Sequence, residues 1–103
     1  MSAGIVLTVK ATDVKQGEVI ATDVQGAPIA IANVAGTYYA FDDLCTHEQC
    51  SLADGALSGT TIACMCHGAE FDVRTGEVLA PPAPAPIKVY PVRINGEVLE
   101  IEV

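Results

Sequence analysis

The chain has 103 residues, half of them apolar, and sets thirteen acidic residues against five basic ones for a formal charge of −8. That length fits one domain, residues 1–103, whose core withdraws roughly two-thirds of the unfolded surface from water. The acidic excess argues against nucleic acid, which needs clustered Lys and Arg, and against anionic membrane surfaces for the same reason.

From the N-terminus, residues 4–9 form a short apolar stretch ended by Lys10, too brief for a signal-peptide core. No later run reaches the length of a membrane-spanning helix, so a cytoplasmic protein is expected. A helical turn is expected near Ala11, capped by Thr12 or Asp13 and stopped by Gly17. Residues 18–24 and 27–33 read as strands joined around Gln25-Gly26, and residues 36–41 as a third, rich in the strand formers Thr37, Tyr38 and Tyr39. Residues 42–74 hold all four cysteines and both histidines, with short strands expected at 60–63 and 70–73. A proline run follows at Pro81, Pro82, Pro84 and Pro86. Residues 87–94 and 98–103 flank Asn95-Gly96, the signature of a type I′ hairpin with positive φ at both central residues. The pattern describes an all-β antiparallel sandwich without internal repeats, carrying a metal-binding insertion of two loops.

Two motifs in the insertion carry chemistry: Cys45-Thr46-His47 and Cys64-Met65-Cys66-His67-Gly68. Each offers a thiolate and an imidazole, and together they suit a metal or cluster that takes mixed sulfur and nitrogen ligands. Four cysteines are hard to account for as a disulfide scaffold in a cytoplasmic protein. A plant-type [2Fe–2S] site needs C-x4-C-x2-C; Cys45 and Cys50 have the first gap, but no cysteine stands three residues after Cys50. A structural zinc site with two Cys and two His is chemically available, although Cys45-x-His47 is tighter than the usual zinc spacing.

The paired motifs fit the C-x-H and C-x-x-H-G boxes of the Rieske family, which this sequence resembles over essentially its whole length. The resemblance extends to the lead-in Tyr39-Ala40-Phe41-Asp42-Asp43 and to Phe71-Asp72-Val73-Arg74-Thr75-Gly76. It implies a Rieske-type antiparallel β-sandwich with a two-loop cluster-binding subdomain and one [2Fe–2S] cluster. Cys45 and Cys64 would hold one iron, and His47 and His67 the other. Two neutral imidazoles in place of two thiolates raise the potential to roughly −150 to +300 mV. The resemblance further implies a Cys50–Cys66 disulfide tying the two loops, as in the Rieske proteins of quinol-oxidising complexes, and Pro81, Pro82 and Pro84 as a stiff cover over the cluster. High-potential members place hydroxyls where this chain has Ala69 and Phe71, so a potential at the low end of the range is expected.

The function implied is that of a soluble one-electron carrier rather than an enzyme in its own right. It would pass electrons by transient contact from a flavin-containing reductase to a terminal aromatic-ring oxygenase. The alternative is a small Rieske subunit of a larger oxidoreductase, such as a nitrite reductase or arsenite oxidase. No dinucleotide fingerprint, phosphate-cradling loop or second iron site is legible.

Overall fold

The computed structural model of the chain describes residues 6–24, 26–45, 50–66, 68–80 and 85–103. They form eleven antiparallel strands in three sheets. The first sheet joins β1 (Val6–Lys10), β11 (Val98–Glu102) and β10 (Val92–Asn95) in the order β1-β11-β10. The second runs β2 (Val19–Val24), β3 (Ala27–Val34), β4 (Thr37–Asp42), β9 (Val89–Tyr90). The third runs β5 (Ala56–Ser58), β6 (Thr61–Ala63), β7 (Glu70–Asp72), β8 (Val78–Ala80). Among the described residues no helix is long and apolar enough to cross a membrane.

The architecture hangs on β3. Residues 29–33 are buried without a break, so both faces of this strand meet apolar layers. Alternation sends Ile29 and Ile31 to one face, where they pack with Val14, Ala40, Leu99 and Ile101 of the base. It sends Ala30 and Ala32 to the other, against the layer built from Phe41, Leu52, Ile62, Phe71 and Ile87. Bulk is exchanged across the β3–β4 pair as well: Ala30 stands opposite Phe41, and Ile31 opposite Ala40. The small side chains on the second face let the third sheet and its loops approach closely, and Phe41 fills the space they leave.

Several expectations are corrected in detail. The strand expected over residues 87–94 is two strands broken at Pro91, which lacks a backbone N–H: β9 pairs with β4, while β10 pairs with β11. The chain thereby passes from one sheet to another in a single residue. The β10–β11 loop is Gly96-Glu97, between the pair Asn95 and Val98. Only Gly96 of these residues has positive φ, at 64°, the pattern of a type II′ turn rather than I′. The type I′ pattern lies at Ala35-Gly36, with φ of 52° and 90°, between β3 and β4. Buried Asn33 supports it: its side-chain oxygen accepts from Gly36 N–H (2.9 Å) and its side-chain nitrogen donates to the Val14 carbonyl (2.9 Å). The helical turn at Ala11–Asp13 is present, but its N-cap is Lys10 and no side chain caps it. Strands β1, β5 and β8 are too short or too weakly patterned to stand out in the sequence.

Ala35 carries a Cβ in the left-handed region, which costs about 1 kcal/mol. Ala35→Gly should therefore raise the stability of the protein by about 0.5 kcal/mol once the added chain entropy of glycine is discounted, read as a higher denaturant midpoint at unchanged slope.

Candidate functional site

Two loops leave the strands at one end of the molecule. The first continues from β4, where Asp42 N–H donates to the Lys88 carbonyl (2.9 Å) and Asp43 N–H to the Pro28 carbonyl (3.1 Å). Tyr90 donates its hydroxyl to the Asp42 carboxylate. Burial first and this carboxylate second push the Tyr90 hydroxyl above its ordinary pKa, so it stays a proton donor.

This loop is closed at its neck. An isolated bridge pairs Leu44 with Ser51, Cys45 N–H donates to the Cys50 carbonyl (3.0 Å), and Leu52 N–H donates to the Asp43 carbonyl (2.6 Å). Its return passes Gly55, packed so tightly on β6 that a Cβ there would overlap the Ala63 carbonyl oxygen. The second loop joins β6 to β7. Cys64 N–H donates to the Ala69 carbonyl (2.7 Å) and Gly68 N–H to the Cys64 carbonyl (3.0 Å), and Gly68 takes φ of 77°, which needs glycine. At the far end of β7, Asp72 receives Arg74 through both carboxylate oxygens (3.1 and 2.8 Å). That pairing with the guanidinium holds the Asp72 carboxyl below its ordinary pKa.

The four cysteines divide into two pairs. Cys50 and Cys66 form a disulfide between the loops, with their Cα atoms 6.5 Å apart. Cys45 and Cys64 are free and buried, 4% and 3% exposed. Both pack in the same apolar layer as Leu52, Ala69 and Phe71. The sulfurs of Cys50, Cys64 and Cys66 all lie within 4.8 Å of one another, so the free Cys64 sulfur sits against the disulfide. Cys66 itself is exposed, and Cys50 is partly buried. Ala69 and Phe71 are fully buried and offer no hydroxyl to a sulfur nearby. Met65, next to Cys64, is 68% exposed and gives the loop tip an apolar surface.

Of the residues expected to form the site, Cys45 and Cys64 are thus buried in one layer and Cys50 and Cys66 are bonded. His47 and His67, and the cover residues Pro81, Pro82 and Pro84, lie outside the described residues. Sequence reasoning did not single out Asp43, which is 4% exposed and is the only buried charged residue of the first loop among the described residues. The doublet Asp42-Asp43 just before Cys45 was the signal available. A separate groove of about 410 Å³ runs beside β4 and β9 and is lined by Tyr38, Tyr39, Tyr90 and Arg74; it contains none of the cysteines. What the loops offer chemically is a pair of shielded soft donors on a closed framework, suited to a sulfur-ligated metal or cluster.

Comparison with known proteins agrees. Residues 4–91 match the model of the Rieske [2Fe–2S] domain. The chain is 40% identical over 90 residues to the ferredoxin component of a naphthalene 1,2-dioxygenase system from Pseudomonas aeruginosa, covering 87% of this chain and 86% of that protein. It is 42% identical over 85 residues to the biphenyl dioxygenase ferredoxin subunit of Pseudomonas sp. (strain KKS102), covering 82% of this chain and 78% of that one. Among solved structures, it superposes with a TM-score of 0.91 and 34% identity on a chain in the complex of reduced oxygenase and oxidised ferredoxin of carbazole 1,9a-dioxygenase, covering 95% of this chain and 93% of that chain. The Sphingomonas yanoikuyae B1 ferredoxin matches with a TM-score of 0.86 and 39% identity, over 91% of this chain and 93% of its own.

Replacing the disulfide tests the framework. The bond closes a separation of 16 residues, worth about 3 kcal/mol in the loop-entropy account. The Cys50→Ser, Cys66→Ser double variant should melt about 10–20 °C lower. In the denatured apoprotein, alkylation before reduction should label only Cys45 and Cys64, the free pair, and all four cysteines after it.

Proposed function

This chain belongs to the Rieske [2Fe–2S] domain family, and from that membership we propose that a single domain, residues 1–103, holds one cluster through Cys45 and Cys64 at one iron and His47 and His67 at the other. The observation that carries the assignment is the division of the cysteines: the two in the family boxes stay free and buried while the other two are bonded. The donor set fits, since thiolates favour iron–sulfur clusters and imidazole suits iron.

The chain acts as a one-electron carrier, not as a catalyst. When bound, such a cluster supplies one reversible electron at roughly −150 to +300 mV. The residues do the rest. Cys45 and Cys64 keep water from the sulfur side by their burial. The closed necks and the disulfide brace the backbone around Cys45 and Cys64, and a braced framework lowers the reorganisation that a transfer requires. Ala69 and Phe71 withhold hydroxyl donors, so less stabilises the more negative reduced state.

The route from a flavin-containing reductase to a terminal aromatic-ring oxygenase is part of the proposal. It rests on the relatives, which are ferredoxin components of naphthalene and biphenyl dioxygenase systems, and on a neighbour solved together with its oxygenase. Exposed Met65 provides a small apolar contact beside Cys64. Residues 43–80 contain six acidic side chains and one basic one, a charge suited to brief encounters with a basic partner. A cytoplasmic location belongs to the same reading, and there the disulfide must resist cellular reductants.

Anaerobically purified protein should contain iron and acid-labile sulfide. An EPR-monitored redox titration should give a midpoint below about +100 mV, the lower part of the Rieske span. Ala69→Ser, which restores a hydroxyl at the second loop, should move that midpoint upward. Protein free of iron and sulfide would end the carrier reading, and a tight complex with a large catalytic subunit would favour the small-subunit alternative.

A further inference from the structure

We propose that the buried carboxylate of Asp43 is a fixed negative charge that positions the first cysteine loop and holds the reduction potential of the site down. The proposal rests on Cys45 being a cluster ligand.

Asp43 lies two residues before Cys45, so their Cα atoms are at most about 7 Å apart. The residue is 4% exposed, too little for solvent to screen its charge. Both of its oxygens are used within the loop. Oδ2 accepts from the Ser51 hydroxyl (2.6 Å) and Oδ1 accepts from Ala53 N–H (2.9 Å). Its main chain spans the same neck, donating to the Pro28 carbonyl and accepting from Leu52 N–H. All four contacts are with neutral groups, and no cation pairs with this carboxylate among the salt bridges of the described residues. The contrast with Asp72 is instructive, because that buried carboxylate is neutralised by Arg74 at 2.8 Å.

A neutral Asn could keep part of this brace, its side-chain oxygen accepting from Ala53 N–H and its NH2 donating to the Ser51 hydroxyl oxygen. What the carboxylate adds is a charge that no described residue neutralises, two positions from Cys45. Adding an electron to the site brings a second negative charge next to the first, in a region of low dielectric, so reduction becomes harder. The absence of hydroxyls at Ala69 and Phe71 and the presence of this charge act in the same direction, from the two loops separately. Asp43 is a positioning residue and not a ligand.

The test compares midpoints of three variants in the cluster-loaded protein. Asp43→Asn removes the charge and keeps an acceptor, and its midpoint should move upward, in low salt and in 1 M salt alike. Ser51→Ala removes a hydroxyl dipole that partly offsets the carboxylate, and its midpoint should move downward. Asp54→Asn, an exposed carboxylate of the same loop, should give a smaller upward shift that vanishes in 1 M salt, where the screening length is about 3 Å. A purely structural brace predicts no such opposition of sign. An Asp43→Asn midpoint at or below that of the unaltered protein overturns the proposal. Should Asp43→Asn fail to retain iron, a Ser51→Ala midpoint at or above that of the unaltered protein does so instead. Iron and labile sulfide in the unaltered protein test the cluster assignment separately, so failure of the two readings can be told apart.

Discussion

Two loops that leave different sheets must deliver sulfur atoms to one place and keep them there. Ordering each loop residue costs about 1–2 kcal/mol of backbone entropy, and loops with few apolar side chains have little burial to offset it. The chain meets this by closing each loop on itself, through the Cys45–Cys50 and Cys64–Ala69 backbone bonds. It then links the loops covalently through Cys50 and Cys66. Each closure fixes the φ and ψ angles next to a free cysteine. The free cysteines are placed by the backbone around them, before any metal ligation contributes.

The scaffold beneath them works through a difference in side-chain size. On β3 the large residues, Ile29 and Ile31, face the base, and the small ones, Ala30 and Ala32, face the site. A sheet that supported the site with bulky side chains would hold the loops further out and leave no space for Phe41. Gly55 answers the same demand from the other side, since its lack of a Cβ brings the first loop onto the strand that precedes Cys64. The position of the site is thus set largely by residues too small to attract notice in a sequence.

What was legible followed from local chemistry. Strands β2, β3 and β4 could be read because Thr, Tyr, Val and Ile alternate between clear turns. The pairs Cys45-x-His47 and Cys64-x-x-His67 could be read because their composition has few other uses. The break at Pro91 is not legible because both halves carry strand formers, and only the pairing partners distinguish them. Asn95-Gly96 does not form the corner because register, not the favoured dipeptide, decides which two residues occupy it. The left-handed Ala35 breaks a local rule, and tertiary support from Asn33 overrides it. Asp43 escaped notice because a carboxylate in a loop ordinarily points to water, and only the folded chain shows it enclosed.

The clamp between Asp72 and Arg74 has a consequence for the molecule as a whole. Arg74 is the one cation in residues 43–80, and the other four, Lys10, Lys15, Lys88 and Arg93, lie outside that stretch. With Arg74 cancelled by its neighbour, nothing in that stretch offsets the remaining carboxylates. Residues 43–80 therefore carry a formal charge of −5 and the rest of the chain −3, so negative charge is denser on the stretch that holds the cysteines. In the field of a positively charged surface a body so charged turns while still in free diffusion, so more of its collisions arrive with the sulfur-bearing end in front.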